Sequence, residues 1–169
     1  MTDLATLPVA GGPVTLRTAV RADVPALVAL LADDELGRTR EATPAGDLSP
    51  YLSAFDLLDG DPGELLVVAV LDGEVVGTLQ LSVIPGLSRG GALRAQLEAV
   101  RVASRQRGTG LGTALVGWAI EEARRQGCAL VQLTSDKRRP DAHRFYGRLG
   151  FRTSHEGLKL DLRSPGASR

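Results

Sequence analysis

The stretch Val102-Ala-Ser-Arg-Gln-Arg107-Gly-Thr-Gly110-Leu-Gly112-Thr113 decides how the rest of the chain is read. On its N-terminal side, residues 92–102 read as a long strand with Leu93, Leu97 and Val100 among its apolar positions. On its C-terminal side the period changes, and Leu111, Ala114, Leu115, Trp118, Ala119 and Ala123 recur at helical spacing until Gly127 stops the run. A strand, a glycine turn and a helix therefore meet here. The first N–H groups of a helix lack intrahelical partners, the helix dipole adds partial positive charge, and glycine lets an anion approach the backbone. Arg105 and Arg107 add full charges, so the turn can form a concave nest for a diphosphate. The same spacing also suits a purely structural turn in which Gly108, Gly110 and Gly112 only solve backbone geometry. A Walker loop is excluded because the Gly-Lys-Ser/Thr ending is missing. The Rossmann pattern fits poorly because an antiparallel-type hairpin precedes the turn and no ribose-binding acid is evident downstream.

Working outward, the chain reads as mixed α and β. Residues 13–20 alternate through Val14, Leu16, Thr18 and Val20 as a strand. A helix follows, with Asp23 placed as N-cap, Pro25 in the first turn, and Leu27, Leu30 and Leu31 on one face. Residues 37–50 look irregular, and residues 51–58 form a second, weaker helix. Residues 65–70, the Asp72-Gly73 turn and residues 74–83 predict a hairpin. Residues 85–91 read as a loop, 128–134 as a buried-type strand, 141–149 as a short helix stopped by Gly150, and 158–162 as a final strand. Residues 164–169 read as a frayed tail.

A second motif lies downstream, Ala142-His-Arg-Phe145-Tyr146-Gly-Arg-Leu-Gly150-Phe151. Together with Arg107-Gly-Thr-Gly110-Leu-Gly112, it resembles the GNAT superfamily of N-acetyltransferases, whose cofactor motif is Gln/Arg-x-x-Gly-x-Gly/Ala after the fourth strand and whose later segment is Ala-x-x-Phe-Tyr-x-x-x-Gly-Phe. The register starting at Arg105 also fits by spacing. The one starting at Arg107 leads directly into the helix and is preferred. The resemblance covers residues 14–162 and implies one N-acetyltransferase domain over residues 1–169, with a mixed, mostly antiparallel α+β sheet of six to seven strands flanked by about four helices. It implies acetyl-CoA as co-substrate. Backbone groups of Val100, Arg101 and Val102 would run beside the pantetheine arm and acetyl group, and Arg107, Gly108, Thr109, Gly110, Leu111, Gly112 and Thr113 would hold the pyrophosphate.

Direct transfer of an acetyl group needs a neutral amine, an oxyanion donor and a proton for the leaving thiolate. The resemblance assigns the last role to Tyr146, whose alternative is a phenol capping a helix in the core. It assigns the oxyanion to a backbone N–H near Val102. Glu98, four residues before Val102 and by period two on the same face, is the candidate base; the alternative is a solvated carboxylate on a half-exposed strand. Arg94 shares that spacing and is a candidate for pairing with a substrate carboxylate. His143, His155 and Glu156 are titratable but lie outside the catalytic set. Cys128 reads as core, with no base or acid placed by the sequence to activate it. The family often carries an Asn where this chain has Asp136-Lys-Arg-Arg-Pro140, which leaves Lys137, Arg138 or Arg139 as contacts for the 3′-phosphate.

Bulk composition bounds the remaining classes. Twenty Lys plus Arg balance twenty Asp plus Glu, so no global field draws nucleic acid or anionic lipid. One Cys and two His are too few for a disulfide or a structural zinc site. No segment reads as a signal peptide or membrane span, and the expected home is the cytoplasm. The expected acceptor is a small-molecule or peptide amine contacting the N-terminal helices and the 85–91 loop, with a homodimer consistent with the family. The rival readings are a non-catalytic acetyl-CoA sensor and a nucleotide-binding protein of another fold.

Overall fold

The computed structural model describes residues 2–33, 37, 41 and 46–162. Much of the irregular stretch expected over 37–50, and all of the tail expected over 164–169, lie outside the described residues. The chain divides into two compact units, 1–133 and 134–169.

The first unit is a six-stranded sheet in sequence order, β1 (Asp3–Val9), β2 (Gly12–Thr18), β3 (Glu64–Leu71), β4 (Glu74–Ile84), β5 (Leu93–Val102) and β6 (Cys128–Leu133). Every neighbouring pair is antiparallel except β5 and β6, which run parallel. This is the mixed, mostly antiparallel sheet that the sequence predicts. The Asp72-Gly73 turn joins β3 to β4 with both residues at positive φ, 50° and 81°, the geometry a two-residue hairpin requires. The parallel pair needs a crossover, supplied by α4 (Leu111–Arg125).

The sheet is covered on both faces. On one side lie α1 (Val24–Ala32) and α2 (Ser49–Asp59), where Val24, Leu27, Val28 and Phe55 pack with Ala19 and Val68. On the other side α4 buries Leu111, Leu115, Val116, Ala119 and Ala123. Each fully buried leucine contributes about 1.5–3 kcal/mol of transfer free energy, so this helix is anchored by its apolar stripe. Gly77 on β4 permits the close approach: a Cβ there would stand 3.6 Å from Leu111 Cδ2 and 3.2 Å from the Arg101 carbonyl oxygen. Between β4 and β5 only one short helical turn intervenes, α3 (Ser88–Gly91), within the expected loop.

Two features of this unit differ from the sequence reading. Residues 3–9 form a strand, β1, which makes the strand before the glycine turn the fifth. Asp23 is the N-cap of α1 by position, but its side chain makes no cap bond. It accepts from both terminal nitrogens of Arg17, at 2.7 and 2.8 Å, and from the Val20 N–H at 2.8 Å.

The second unit holds α5 (Pro140–Arg148). Tyr146 meets Phe145 and Phe151 edge to face, with ring centroids 5.0 and 5.7 Å apart. The final strand expected over residues 158–162 is not formed: residues 151–161 take no regular structure, and Leu158, Leu160 and Leu162 are 94%, 73% and 87% exposed. Apolar and charged residues alternate there as in a strand, but alternation is local, whereas a strand exists only by pairing with an edge.

Candidate functional site

The site begins where β5 outruns its neighbour. The parallel ladder runs from Leu93–Cys128 to Leu97–Leu133 and ends there. Residues 98–102 continue, paired with β4 alone. Among the described residues no strand pairs with their other edge, where the Val100 carbonyl accepts from Arg101 Nη1 at 2.9 Å and the Val102 carbonyl from Arg107 Nε at 3.4 Å. A strand edge without a strand partner is what an extended, amide-rich ligand arm needs in order to pair with main chain.

Within this segment β5 carries a bulge. Thr78 faces Arg101 and Gln80 faces Glu98, so the single Leu79 is opposed by both Ala99 and Val100. Ala99 takes φ 50°, a left-handed conformation that costs an alanine about 1–2 kcal/mol. The bulge corrects the sequence argument for Glu98. Period two puts Glu98 and Val102 on one face, but the extra residue shifts the alternation by one. Glu98 stands opposite Gln80 on the α1/α2 face, whereas Val102 stands opposite Gly77, which faces α4. Arg101, opposite Thr78, shares the face of Glu98.

After Val102 the chain makes a single 3₁₀ turn at Ser104–Gln106 and enters the glycine turn. Gly108 and Gly110 hold φ of 84° and 89°, and Gly110 is the left-handed N-cap of α4, with no side chain capping the helix. Its carbonyl accepts the first intrahelical bond, from the Ala114 N–H at 3.0 Å. The N–H groups of Leu111, Gly112 and Thr113 come before that bond and have no carbonyl one turn back to reach. Thr109 Oγ1 donates to the Gln106 carbonyl at 2.8 Å and lies 3.4 Å from the Leu111 nitrogen. The turn is also tied to the N-terminal hairpin, because the Ala10 N–H donates to the Thr109 carbonyl at 3.1 Å.

Arg107 lies beside this nest and is bent back toward the first helix. Its Nη2 donates to the Asp33 carbonyl at 2.6 Å and lies 3.6 Å from the Asp33 carboxylate, which accepts from the Ser104 N–H at 2.7 Å. Arg105 pairs instead with Glu74. The main-chain amides at the start of α4 fit a diphosphate in donor type, and Arg107 would add its charge only by leaving Asp33.

The α1/α2 face of the sheet carries a polar stripe. Gln80 and Ser82 both donate to Glu64, at 2.8 and 2.7 Å, Gln96 donates to Glu98 at 2.9 Å, and Gln132 donates to Gln96 at 2.8 Å. These two clusters, one on β3 and β4 and the other on β5 and β6, were not foreseen in the sequence, because each joins residues from different strands. Next to it, under α1 and α2, lies a cavity of about 140 Å³ that reaches Gln80 and the bulge residue Ala99.

Among the other residues singled out, Tyr146 lies on α5 in the second unit and Arg94 on β5 opposite Ile84, on the face of Glu98. The Arg94 Nε is buried with no acceptor among the described residues. Arg138 is held by Asp136, its backbone N–H at 2.9 Å and its Nη2 at 2.9 Å. Burial pushes the Cys128 thiol up from its ordinary value, the opposite of what a nucleophile requires.

Three comparisons bear on this arrangement. The aminoalkylphosphonate N-acetyltransferase of Salmonella typhimurium is 37% identical over 95 residues, covering 56% of this chain and 61% of that protein. The glucosamine 6-phosphate N-acetyltransferase of Trypanosoma brucei brucei is 40% identical over 91 residues, covering 53% of this chain and 59% of that protein. The matched segment thus spans about three fifths of the length of these curated relatives. A transcriptional regulator from Bacillus halodurans, known from its crystal structure, is 48% identical with a TM-score of 0.83, covering 88% of this chain and 99% of that one. A model of the acetyltransferase (GNAT) family matches residues 29–151. That match starts within α1, runs through the glycine turn and ends on the Phe151 that closes the Phe-Tyr segment, and on it this chain belongs to the acetyltransferase (GNAT) family.

Proposed function

We propose that the protein is an N-acetyltransferase that uses acetyl-CoA to acetylate a primary amine by direct attack. The observation that carries this reading is the junction at which β5 runs past the end of β6 and turns through residues 107–112 into the uncapped start of α4. A strand edge without a strand partner and the helix-start amides follow one another along the chain there, which suits one ligand with an amide arm and a pyrophosphate. Bound there, acetyl-CoA supplies an activated acetyl thioester.

The chain's own groups divide the remaining work. The N–H groups of Gly112 and Thr113, with Arg107 beside them, neutralise the diphosphate. Main-chain groups of Val100, Arg101 and Val102 orient the arm, and a backbone N–H near Val102 meets the charge that develops on the acetyl oxygen. Glu98 takes the proton of the attacking amine directly or through water, from the face that also bears Gln80. The phenol of Tyr146 gives a proton to the departing sulfur.

A thiol-release assay with acetyl-CoA and a panel of primary amines tests this. A general acid contributes about 10²–10⁴-fold, so Tyr146→Phe should lower kcat by about 100-fold or more with the KM for acetyl-CoA within about threefold of the parent. A Tyr146→Phe protein with parental kcat would remove Tyr146 from the mechanism, and a parent that releases no thiol with any amine would sink the enzymatic reading.

A further inference from the structure

The cavity under α1 and α2 carries information about the acceptor, and this inference rests on the proposed acetyl transfer. Its walls include Leu27, Val28, Phe55 and Leu66, with Ala54 at its α2 side. The Thr78 hydroxyl is already committed to the Val67 carbonyl at 2.8 Å. An apolar cavity of about 150 Å³ is large enough to hold a benzene-sized molecule, and this one measures about 140 Å³. It opens beside Ala99, one residue from Glu98, on the face of the sheet from which Glu98 reaches out.

Among the described residues no charged side chain lines the cavity, and charges of both signs stand outside it. Tyr51, which lines the cavity, donates to Glu41 at 2.9 Å, and Gln80, which also lines it, donates to Glu64 at 2.8 Å and stands across from Glu98. Arg101, on the same face of β5, stands across from the lining residue Thr78, and its Nη1 donates to the Val100 carbonyl at 2.9 Å. A mostly apolar lining without a charged side chain favours a hydrophobic body and disfavours a phosphate or phosphonate, which would lie desolvated there without a counter-charge.

We infer that the acceptor is a primary amine with a compact apolar body of about benzene size, seated in the α1/α2 cavity with its nitrogen toward Glu98. This differs in class from the phosphorus-bearing acceptors in the names of the two curated relatives. The hydrophobic body is held by burial, worth about 25 cal/mol per Å², and a phosphate in its place would be left unpaired among apolar side chains.

The test compares phenethylamine and hexylamine with 2-aminoethylphosphonate and glucosamine 6-phosphate, by calorimetric binding to the full chain in the presence of CoA and by thiol release with acetyl-CoA. Phenethylamine should bind at least about tenfold tighter than either phosphorus-bearing amine, a difference of about 1.4 kcal/mol. Ala54→Trp, which fills the cavity, should weaken phenethylamine by about tenfold or more and leave acetyl-CoA affinity within about twofold. Ala54→Leu should act in the same direction with less steric load, and Leu57→Trp, on the exposed side of α2, should leave both affinities unchanged. Equal or tighter binding of the phosphorus-bearing amines, no binding of any amine, or phenethylamine affinity unmoved by both Ala54 variants would overturn the inference. Binding of phenethylamine without thiol release would uphold the cavity assignment and defeat the enzymatic reading. Turnover of the phosphorus-bearing amines alone would do the reverse.

Discussion

At Asp23 opposing effects act on one carboxylate. Burial favours its neutral form, while the Arg17 guanidinium and the Val20 N–H favour the ion, and the outcome is a pKa below the ordinary carboxylate value. A depressed native pKa adds stability that is present above the unfolded value, about 3.9, and is lost as pH falls through the lower native one. Asp23→Asn leaves Arg17 part-buried without its counter-charge. Breaking buried pairs costs about 3–5 kcal/mol, and the partial exposure of this one puts the expectation near about 3. The melting temperature should then drop by about 6–12 °C. The stability gap between parent and variant should be level from about pH 5 to 8 and shrink below about pH 4; a gap as large at pH 3 as at pH 7 would show that the Arg17 pair is not its source. The sequence placed Asp23 correctly at the helix start. What its carboxylate binds depends on Arg17, brought to it by the turn out of β2.

At the scale of elements, the start of α4 and the bulge of β5 contrast in legibility. Gly110 was readable because a left-handed N-cap at φ 89° nearly requires glycine. Gly110→Ala should cost about 1–2 kcal/mol and raise the KM for acetyl-CoA about fivefold or more, since the strained cap moves the amides of Gly112 and Thr113. Gly117→Ala, in the interior of the same helix with open space around its Cβ position, should instead stabilise by up to about 1 kcal/mol and leave that KM alone. Equal effects from both substitutions would mean that the turn has no special role. The bulge had no such marker. Ala99 is an ordinary strand residue, and only the register against β4 forces it to a positive φ, which is why the face of Glu98 was misread.

For the whole molecule, twenty basic and twenty acidic residues cancel, so the proposed diphosphate recognition must come from local geometry. Binding to the native state alone should therefore discriminate sharply. Acetyl-CoA at about 100 times its Kd adds about 2.7 kcal/mol, or about 5–11 °C in melting temperature, whereas ATP at the same concentration should shift it by about 1 °C or less. A matching shift with ATP would favour a general phosphate loop. Two strands measure how far the overall pairing could be read. Residues 3–9 went unread because Pro8 interrupts them, yet β1 is an edge strand, where proline is tolerated. Residues 158–162 were read as a strand that the structure does not form.

By itself the sequence determined the period of each helix, the β3–β4 hairpin, the glycine turn and the two motifs that mark the family, because each depends on neighbours within a few residues along the chain. Only the tertiary structure decided that β5 outruns β6, that a bulge puts Glu98 on the face of α1 and α2, and that an apolar cavity lies between those helices and the sheet. Those features arise from pairing and packing between segments far apart in sequence, and no local pattern encodes the register at which such segments meet.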